Sequence, residues 1–182
     1  MATLDLRSIR LRPGEQLGKV VELQLEPVEL GGQRYVPDPV RPQAPLTITR
    51  ATSGTVFRLR FGVALRGPCF RCLTDSAAQL TVDGTEYEAA GSDTSEELHT
   101  EYLADDILDL GAWARDAIVL SLPEQILCRE ECSGLCGRCG ADLNVSACTC
   151  GPPDPDPRWQ QLEALKEQLD APGASREPDP SR

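Results

Sequence analysis

The sequence predicts an α+β fold: a small antiparallel β-sheet domain with one short packed helix and a cysteine-rich segment. Three observations predict it. Several segments alternate apolar and polar residues as strands do, one segment has apolar residues at helical spacing, and six of the eight cysteines lie between residues 128 and 150. We expect a single domain over 1–150. Residues 151–182 are expected to form a Pro-rich linker, a short amphipathic helix and a disordered tail.

The first part of the domain, residues 4–90, is expected to be rich in strands. Residues 18–25 alternate apolar and polar side chains, which predicts a strand. Residues 46–51 and 55–66 flank a Thr-Ser-Gly turn and predict a hairpin. Residues 31–45 contain four prolines and two glycines, so they are predicted to form a loop.

The second strand of this hairpin carries a row of arginines on one face. Because side chains alternate along a strand, Arg58, Arg60 and Arg66 are expected to lie opposite its apolar residues. Arginines neutralise phosphates, so this row is the candidate RNA-binding surface. An ordinary solvated sheet face would explain the same pattern.

The second part of the domain contains an acidic segment followed by a helix. Residues 91–106 are acidic and poor in large apolar groups, which predicts a solvated loop. The single histidine, His99, lies there, and one isolated ligand does not make a metal site. A helix follows within 107–123, with Asp109 as its N-cap and Pro123 as its stop.

The net charge of -11 is divided unevenly along the chain. Residues 1–72 carry 11 Lys and Arg against 6 Asp and Glu, whereas residues 73–127 carry 1 Arg against 13 acids. The acidic total argues against indiscriminate polyanion binding, but the basic first part keeps an RNA-facing surface possible. The apolar runs are too short to span a membrane, and the N-terminus shows no secretory signal, so we expect a cytoplasmic protein.

The eight cysteines form four close pairs. Three pairs lie in the segment 124–150, and one lies upstream of it. The pairs are Cys69 with Cys72, Cys128 with Cys132, Cys136 with Cys139, and Cys148 with Cys150. A C-x2-C turn can aim two thiolates at one metal ion, and Gly140 can adopt the positive φ that such a turn often needs. The last two pairs can close one tetrahedral site, and the first two can close another, although spacing alone leaves the pairing open. The segment is therefore predicted to be a zinc-knuckle segment, with two structural Zn²⁺ ions in the protein.

Disulfides and thiol chemistry are the alternatives to zinc binding by these cysteines. Disulfides need an oxidising compartment, and a dithiol oxidoreductase would place its C-x-x-C near a βαβ pattern. A thiol or metal sensor is the alternative function, because Arg71, Arg129 and Arg138 flank cysteines and could favour reactive thiolates. The sequence offers no Ser/His/Asp set, no phosphate-binding glycine loop and no histidine placed to activate a cysteine, so we expect neither an enzyme nor a small-molecule substrate.

An ordered set of motifs in this chain closely resembles the bacterial YceD family. The set comprises Cys69-Phe-Arg-Cys72-Leu73, Asp109-Leu110, Leu122-Pro123, Leu127-Cys128, Gly134-Leu135-Cys136-x2-Cys139-Gly140 and Asp142-Leu143-Asn144. The resemblance covers most of residues 4–150. The Pro-Asp-Pro-Arg-Trp tail is similar to the version found in high-GC Gram-positive bacteria.

The resemblance implies a non-enzymatic, cytoplasmic ribosome-biogenesis factor. Its expected role is in the accumulation of large-subunit 23S rRNA, through synthesis, processing or stability of that RNA. The expected partner is a large-subunit rRNA precursor or a ribosomal protein. The zinc prediction comes from the cysteine spacing and not from the resemblance.

Overall fold

The computed structural model describes residues 2–91, 98–151, 156–159, 162 and 165–166. The chain divides into two compact units, Met1–Ala147 and Cys148–Arg182. The secondary structure elements of the first unit are β1 (Thr3–Asp5), β2 (Gln16–Glu22), β3 (Val28–Leu30), β4 (Gln33–Asp38), β5 (Gln43–Arg50), β6 (Gly54–Pro68), β7 (Asp75–Ala89), β8 (Leu103–Ala104), β9 (Ile107–Asp109) and α1 (Leu110–Leu120). In the second unit a 3-10 turn spans Pro157–Trp159. The predicted tail helix and disordered C-terminus fall largely outside the described residues.

The main sheet is antiparallel and is organised around β6. Strands β2, β5, β6, β4 and β3 follow one another, and β7 pairs with β6 along its other edge. Strands β6 and β7 are each 15 residues long and pair from Gly54 opposite Ala89 to Pro68 opposite Asp75. A smaller sheet has the order β1-β9-β8. The expected antiparallel sheet is confirmed.

Helix α1 is the helix predicted from the apolar spacing, and it buries one side against the core. Asp109 is its N-cap, and the carboxylate of Asp109 accepts hydrogen bonds from the backbone N–H groups of Gly111 and Ala112 at 3.0 Å each. Trp113 and Ile118 are almost completely buried with the apolar face of the sheet. No helix among the described residues is long and apolar enough to cross a membrane.

The prediction of a continuous loop over 31–45 was wrong, because this stretch contains β4 and the start of β5. Tyr35 of β4 is only 1% exposed, and its hydroxyl donates to the carbonyl of Pro68 at 2.9 Å. Pairing with β6 places Pro37 opposite Leu65 within a short three-residue register. Burial of Tyr35 and pairing with a central strand thus outweighed the local turn signal of the prolines.

The acidic segment predicted as a loop is partly structured. Residues 92–97 lie outside the described part of the chain. Beyond them, β8 occupies Leu103–Ala104, and the backbone N–H of Thr100 donates to the carboxylate of Glu88 at 3.1 Å. The loop therefore ends earlier than the sequence indicated, since contacts with β7 and β9 order its second half.

Candidate metal centres

Two groups of four cysteines hold their sulfur atoms close enough to share a metal ion. The groups are Cys69, Cys72, Cys128 and Cys132, and Cys136, Cys139, Cys148 and Cys150. Within each group the Sγ atoms all lie within 4.8 Å of one another. The grouping coincides with the pairing suggested by sequence spacing. We call the first group the hairpin cluster and the second the C-terminal cluster.

The first pair of the hairpin cluster lies in the turn that joins β6 to β7. The backbone N–H of Cys69 donates to the carbonyl of Thr74 at 2.7 Å, and the N–H of Leu73 donates back to the carbonyl of Cys69 at 3.0 Å. Leu73 has a φ of 61°, in the left-handed region. These bonds close a tight knuckle that positions the sulfurs of Cys69 and Cys72 at the end of the longest hairpin.

The second pair of the hairpin cluster comes from the segment that follows α1. The buried Ile126 accepts a hydrogen bond through its carbonyl from the N–H of Phe70 at 2.8 Å, so this segment is fastened beside the knuckle. The guanidinium of Arg71 donates to the carbonyl of Cys132 at 3.1 Å. These two hydrogen bonds therefore hold the segment of Cys128 and Cys132 beside the hairpin, although it lies more than 50 residues away in sequence.

The sulfur separations in the hairpin cluster fit one tetrahedral ion. The Sγ atoms of Cys69 and Cys132 are 3.8 Å apart, and those of Cys72 and Cys128 are 3.5 Å apart. Zinc–sulfur bonds of about 2.3 Å in a tetrahedron imply sulfur–sulfur edges of about 3.8 Å. A disulfide would require about 2.05 Å. The four cysteines of this cluster form no disulfide, so the distances favour a shared ion over oxidation.

The thiols of the hairpin cluster differ in acidity. Burial alone would raise the pKa of Cys69, but the backbone N–H groups of Cys72, Cys128 and Arg71 lower it to about 6. The hydroxyl of Thr74, 3.0 Å from the sulfur of Cys72, lowers the pKa of that thiol. The hydrogen bond with Cys72 is the main cause that raises the pKa of Cys128 to about 11. A bound cation would favour the thiolate form of all four cysteines.

The Cys136–Cys139 turn of the C-terminal cluster has the same backbone pattern as the first knuckle. The N–H of Cys136 donates to the carbonyl of Ala141 at 2.8 Å, and the N–H of Gly140 donates back to the carbonyl of Cys136 at 2.8 Å. Gly140 has a φ of 72°, which confirms the positive φ expected there. Leu135 and Asp142 form an isolated bridge at the base of this turn.

Residues 133–144 also contact the hairpin cluster. The N–H of Leu135 donates to the carbonyl of Arg71 at 3.1 Å. At Gly134, φ is 74° and a Cβ atom would lie 3.1 Å from the carbonyl oxygen of Arg71, so the close approach favours glycine. The Nδ2 of Asn144 lies 3.5 Å from the Sγ of Cys132 and donates to it, while Oδ1 of Asn144 accepts from the N–H of Ser133 at 2.8 Å.

Asn144 is a second-layer contact that cysteine spacing did not identify. Its only signal in the sequence is its place in the Asp142-Leu143-Asn144 motif that follows the second knuckle. Hydrogen bonds to ligating atoms orient them and tune metal affinity. This hydrogen bond therefore connects the loop after the Cys136–Cys139 turn to Cys132 of the hairpin cluster.

The predicted arginine row forms ion pairs with neighbouring strands. Arg58 donates twice to the carboxylate of Asp83, at 2.8 and 2.7 Å, and Arg60 donates to the same carboxylate at 3.0 Å. Arg66 donates to Asp38 at 2.7 Å. The guanidinium groups of Arg58 and then Arg60 hold the pKa of the Asp83 carboxyl well below its usual range. Contact between this row and RNA stays a prediction, and the structure shows the charges already paired.

The single histidine is not a member of either cysteine group. Its Nδ1 lies 2.7 Å from the carboxylate of Glu88 on β7, beside the hydrogen bond between Thr100 and Glu86. His99 thus helps attach the described end of the acidic segment to the sheet.

Comparison with known proteins identifies the family. The model for the family described as "Large ribosomal RNA subunit accumulation protein YceD" matches residues 57–166, which is more than half of the chain. The chain belongs to the YceD family. Both cysteine groups lie within the matched region, and the description of YceD concerns RNA accumulation and names no enzymatic activity.

Relatives of this YceD chain occur in bacteria and plants. An uncharacterized protein of Mycobacterium tuberculosis (strain H37Rv) is 35% identical over 100 residues, which are 53% of this chain and 48% of that protein. A protein of Arabidopsis thaliana named large ribosomal RNA subunit accumulation protein YCED homolog 1, chloroplastic, is 34% identical over 62 residues, which are 34% of this chain and 19% of that protein. Its Zea mays namesake is 44% identical over 50 residues, 27% of this chain and 17% of that protein. The chain spans about half the length of the mycobacterial relatives it matches. No solved structure is significantly similar to it.

Proposed function

We propose that this protein is a non-enzymatic ribosome-biogenesis factor needed for the accumulation of large-subunit 23S rRNA, with two structural Zn²⁺ ions. The observation that carries the proposal is membership of the YceD family. Its description and the names of two plant relatives refer to accumulation of the large ribosomal RNA subunit. The partner is a large-subunit rRNA precursor or a ribosomal protein, met in the cytoplasm.

The zinc half of the proposal is supported by the donor set. Four thiolates suit zinc or an iron–sulfur cluster, and sulfur separations of 3.5 and 3.8 Å fit a single ion. Four protein ligands leave no open position for a reacting water, so the ion would be structural. In the hairpin cluster, zinc would attach the segment after α1 to the turn between β6 and β7. Three of its four cysteines are buried, which disfavours a reactive thiol sensor.

Deletion of the gene in its native host tests the rRNA role. We expect a lower ratio of large-subunit to small-subunit rRNA, restored by the wild-type chain and by the control variant Ser146→Ala at an exposed position. Cys69→Ser should fail to restore it because the hairpin cluster would lose a ligand. An unchanged rRNA ratio in the deletion strain would contradict the proposed function.

Elemental analysis of the natively purified protein tests the metal separately. We expect two zinc ions per chain, measured by inductively coupled plasma mass spectrometry against the protein concentration. Iron with acid-labile sulfide, or a metal-free folded protein, would reject the zinc assignment and leave the rRNA role standing.

A further inference from the structure

A groove of about 1080 Å³ lies between the segment joining β1 to β2 and the β5–β6 hairpin. Four arginines line it: Arg7, Arg10, Arg12 and Arg50. Its apolar residues include Leu6, Ile9 and Leu11 from the first segment, together with the buried Phe57. We call this the arginine groove. It is separate from the cysteine clusters and from the predicted row on β6.

The arginines of the groove differ from that row in their partners. Arg7 donates to the backbone carbonyl of Asp105 at 2.9 Å, and Arg50 donates to the hydroxyl of Thr55 at 2.8 Å. The side chains of Arg10 and Arg12 make no hydrogen bond or ion pair with any residue that the structure describes. No described carboxylate therefore neutralises these four guanidinium groups, whereas Asp83 and Asp38 pair with the row on β6.

Three acidic residues also line the groove, and two of them accept hydrogen bonds from groups other than the four guanidiniums. The carboxylate of Glu15 accepts from the backbone N–H of Arg12 at 2.8 Å. The carboxylate of Glu88 contacts the His99 ring and accepts from the N–H of Thr100. Asp106 is exposed at the rim. With four arginines and three acids the groove retains a positive balance, and its guanidinium groups are left to bind an added anion.

We propose that the arginine groove binds single-stranded RNA. Guanidinium groups recognise phosphate oxygens in a planar, bidentate manner, so the four arginines would hold the backbone. Unstacked bases have apolar faces that could lie over the leucine and isoleucine side chains, which a duplex would not present. The inference rests on the proposed function, which makes large-subunit rRNA the expected occupant. An acidic peptide would engage the same arginines, but the family description refers to RNA.

Fluorescence anisotropy with the full chain and a labelled 20-nucleotide single-stranded rRNA segment tests the inference. The groove variant is Arg7→Gln/Arg10→Gln/Arg12→Gln, and the matched control is Arg58→Gln/Arg60→Gln/Arg66→Gln, with the same change in charge. We expect the groove variant to bind at least about 10-fold more weakly, with a salt slope reduced by about 2 because three phosphate contacts are lost. The control should stay within about threefold of wild type. Equal weakening in both variants, or none in the groove variant, would overturn the inference.

A second variant guards against misfolding, because Arg7 contacts the Asp105 carbonyl. Arg10→Gln/Arg12→Gln removes side chains without described partners, so its melting temperature should match wild type. Its affinity for RNA should still fall about fivefold, since two phosphate contacts would be lost. A double variant with wild-type RNA affinity would count against the groove.

Two further outcomes separate this inference from the proposed function. In one outcome the wild-type chain does not bind RNA but binds a labelled acidic peptide, while the rRNA ratio in the cell still depends on the gene. This result would overturn the RNA inference and leave the proposed function intact. An unchanged rRNA ratio after deletion would remove the proposed function. Groove-dependent RNA binding in the anisotropy assay would then still support the groove as an RNA site.

Discussion

The two C-x2-C turns of this protein use the same local geometry in different settings. In each, the first cysteine donates its N–H to the carbonyl five residues on and accepts from the N–H four residues on. Leu73 and Gly140 hold equivalent positions, with φ of 61° and 72°. The turn itself is therefore a local device that a short sequence can encode.

The surroundings of the two turns differ. Cys69 and Cys72 are 0% and 5% exposed at the end of a hairpin of two 15-residue strands, and their partners lie more than 50 residues further along the chain. Cys139 is exposed, and Cys136 is half-buried. Cross-linking distant segments restricts the unfolded chain more than cross-linking near ones. The comparison teaches that identical knuckles can differ in what they stabilise: the hairpin cluster joins two parts of the fold, whereas the second turn orders a short segment.

Removing a ligand from the hairpin cluster should have the largest effect. We expect Cys69→Ser to bind one zinc instead of two and to lose at least about 3 kcal/mol of unfolding free energy, because the three remaining thiols, of which Cys72 and Cys132 are buried, would be left without their ion. That loss corresponds to a melting temperature lower by about 6–12 °C. Metal analysis and thermal unfolding measure both, and a variant that keeps two ions would contradict the assignment of this cluster.

The matched change in the second knuckle should cost less. Cys139→Ser should also reduce the zinc content from two ions to one, yet lower the unfolding free energy of the sheet by no more than about 1 kcal/mol, since its loop is exposed and local. Thermal unfolding monitored through Trp113 fluorescence reports the sheet core. If both ions are lost, or the sheet melts as in Cys69→Ser, the two clusters are not independent in the way their surroundings indicate.

Asn144 offers a test of the contact between the two regions. Asn144→Ala removes the donor to the Sγ of Cys132, and we expect zinc to leave the hairpin cluster about 10-fold faster, as for other second-layer contacts. Asn144→Asp keeps an acceptor for Ser133 but lacks the donor, so it should behave similarly. Release into a chromogenic chelator, measured in the Cys139→Ser background, isolates this ion. An unchanged rate would show that the contact only shapes the loop.

The smallest expected effect comes from the residue five positions after each first cysteine. This position is Thr74 in the hairpin cluster, where the hydroxyl contacts the Sγ of Cys72 at 3.0 Å, and Ala141 in the second turn. Thr74→Ala would make the two turns alike, and we expect zinc release about threefold faster because one hydrogen bond to a ligand is lost. Ser146→Ala is the control, and equal rates in both variants would exclude a role for the hydroxyl.

The features that could be predicted from the sequence depend on residues close together in the chain. The spacing of Cys136 and Cys139 indicated a knuckle, and Gly140 has the positive φ expected there. Asp109 is the predicted N-cap, and its carboxylate accepts from N–H groups only two and three residues further along the chain. Strand β4 was missed because Tyr35 is buried by partners that its own stretch does not contain.

The sequence by itself determined the turn chemistry, the helix start, the cysteine pairs and the family resemblance, all of which lie in residues close together in the chain. Only the tertiary structure decided which charges remain available. It pairs Arg58 and Arg60 with Asp83 on β7, and it lines a groove with Arg7, Arg10 and Arg12, whose guanidinium groups form no ion pair with any described carboxylate. The reason is that ion pairing depends on separations of a few ångströms, which strand register sets between residues distant in sequence.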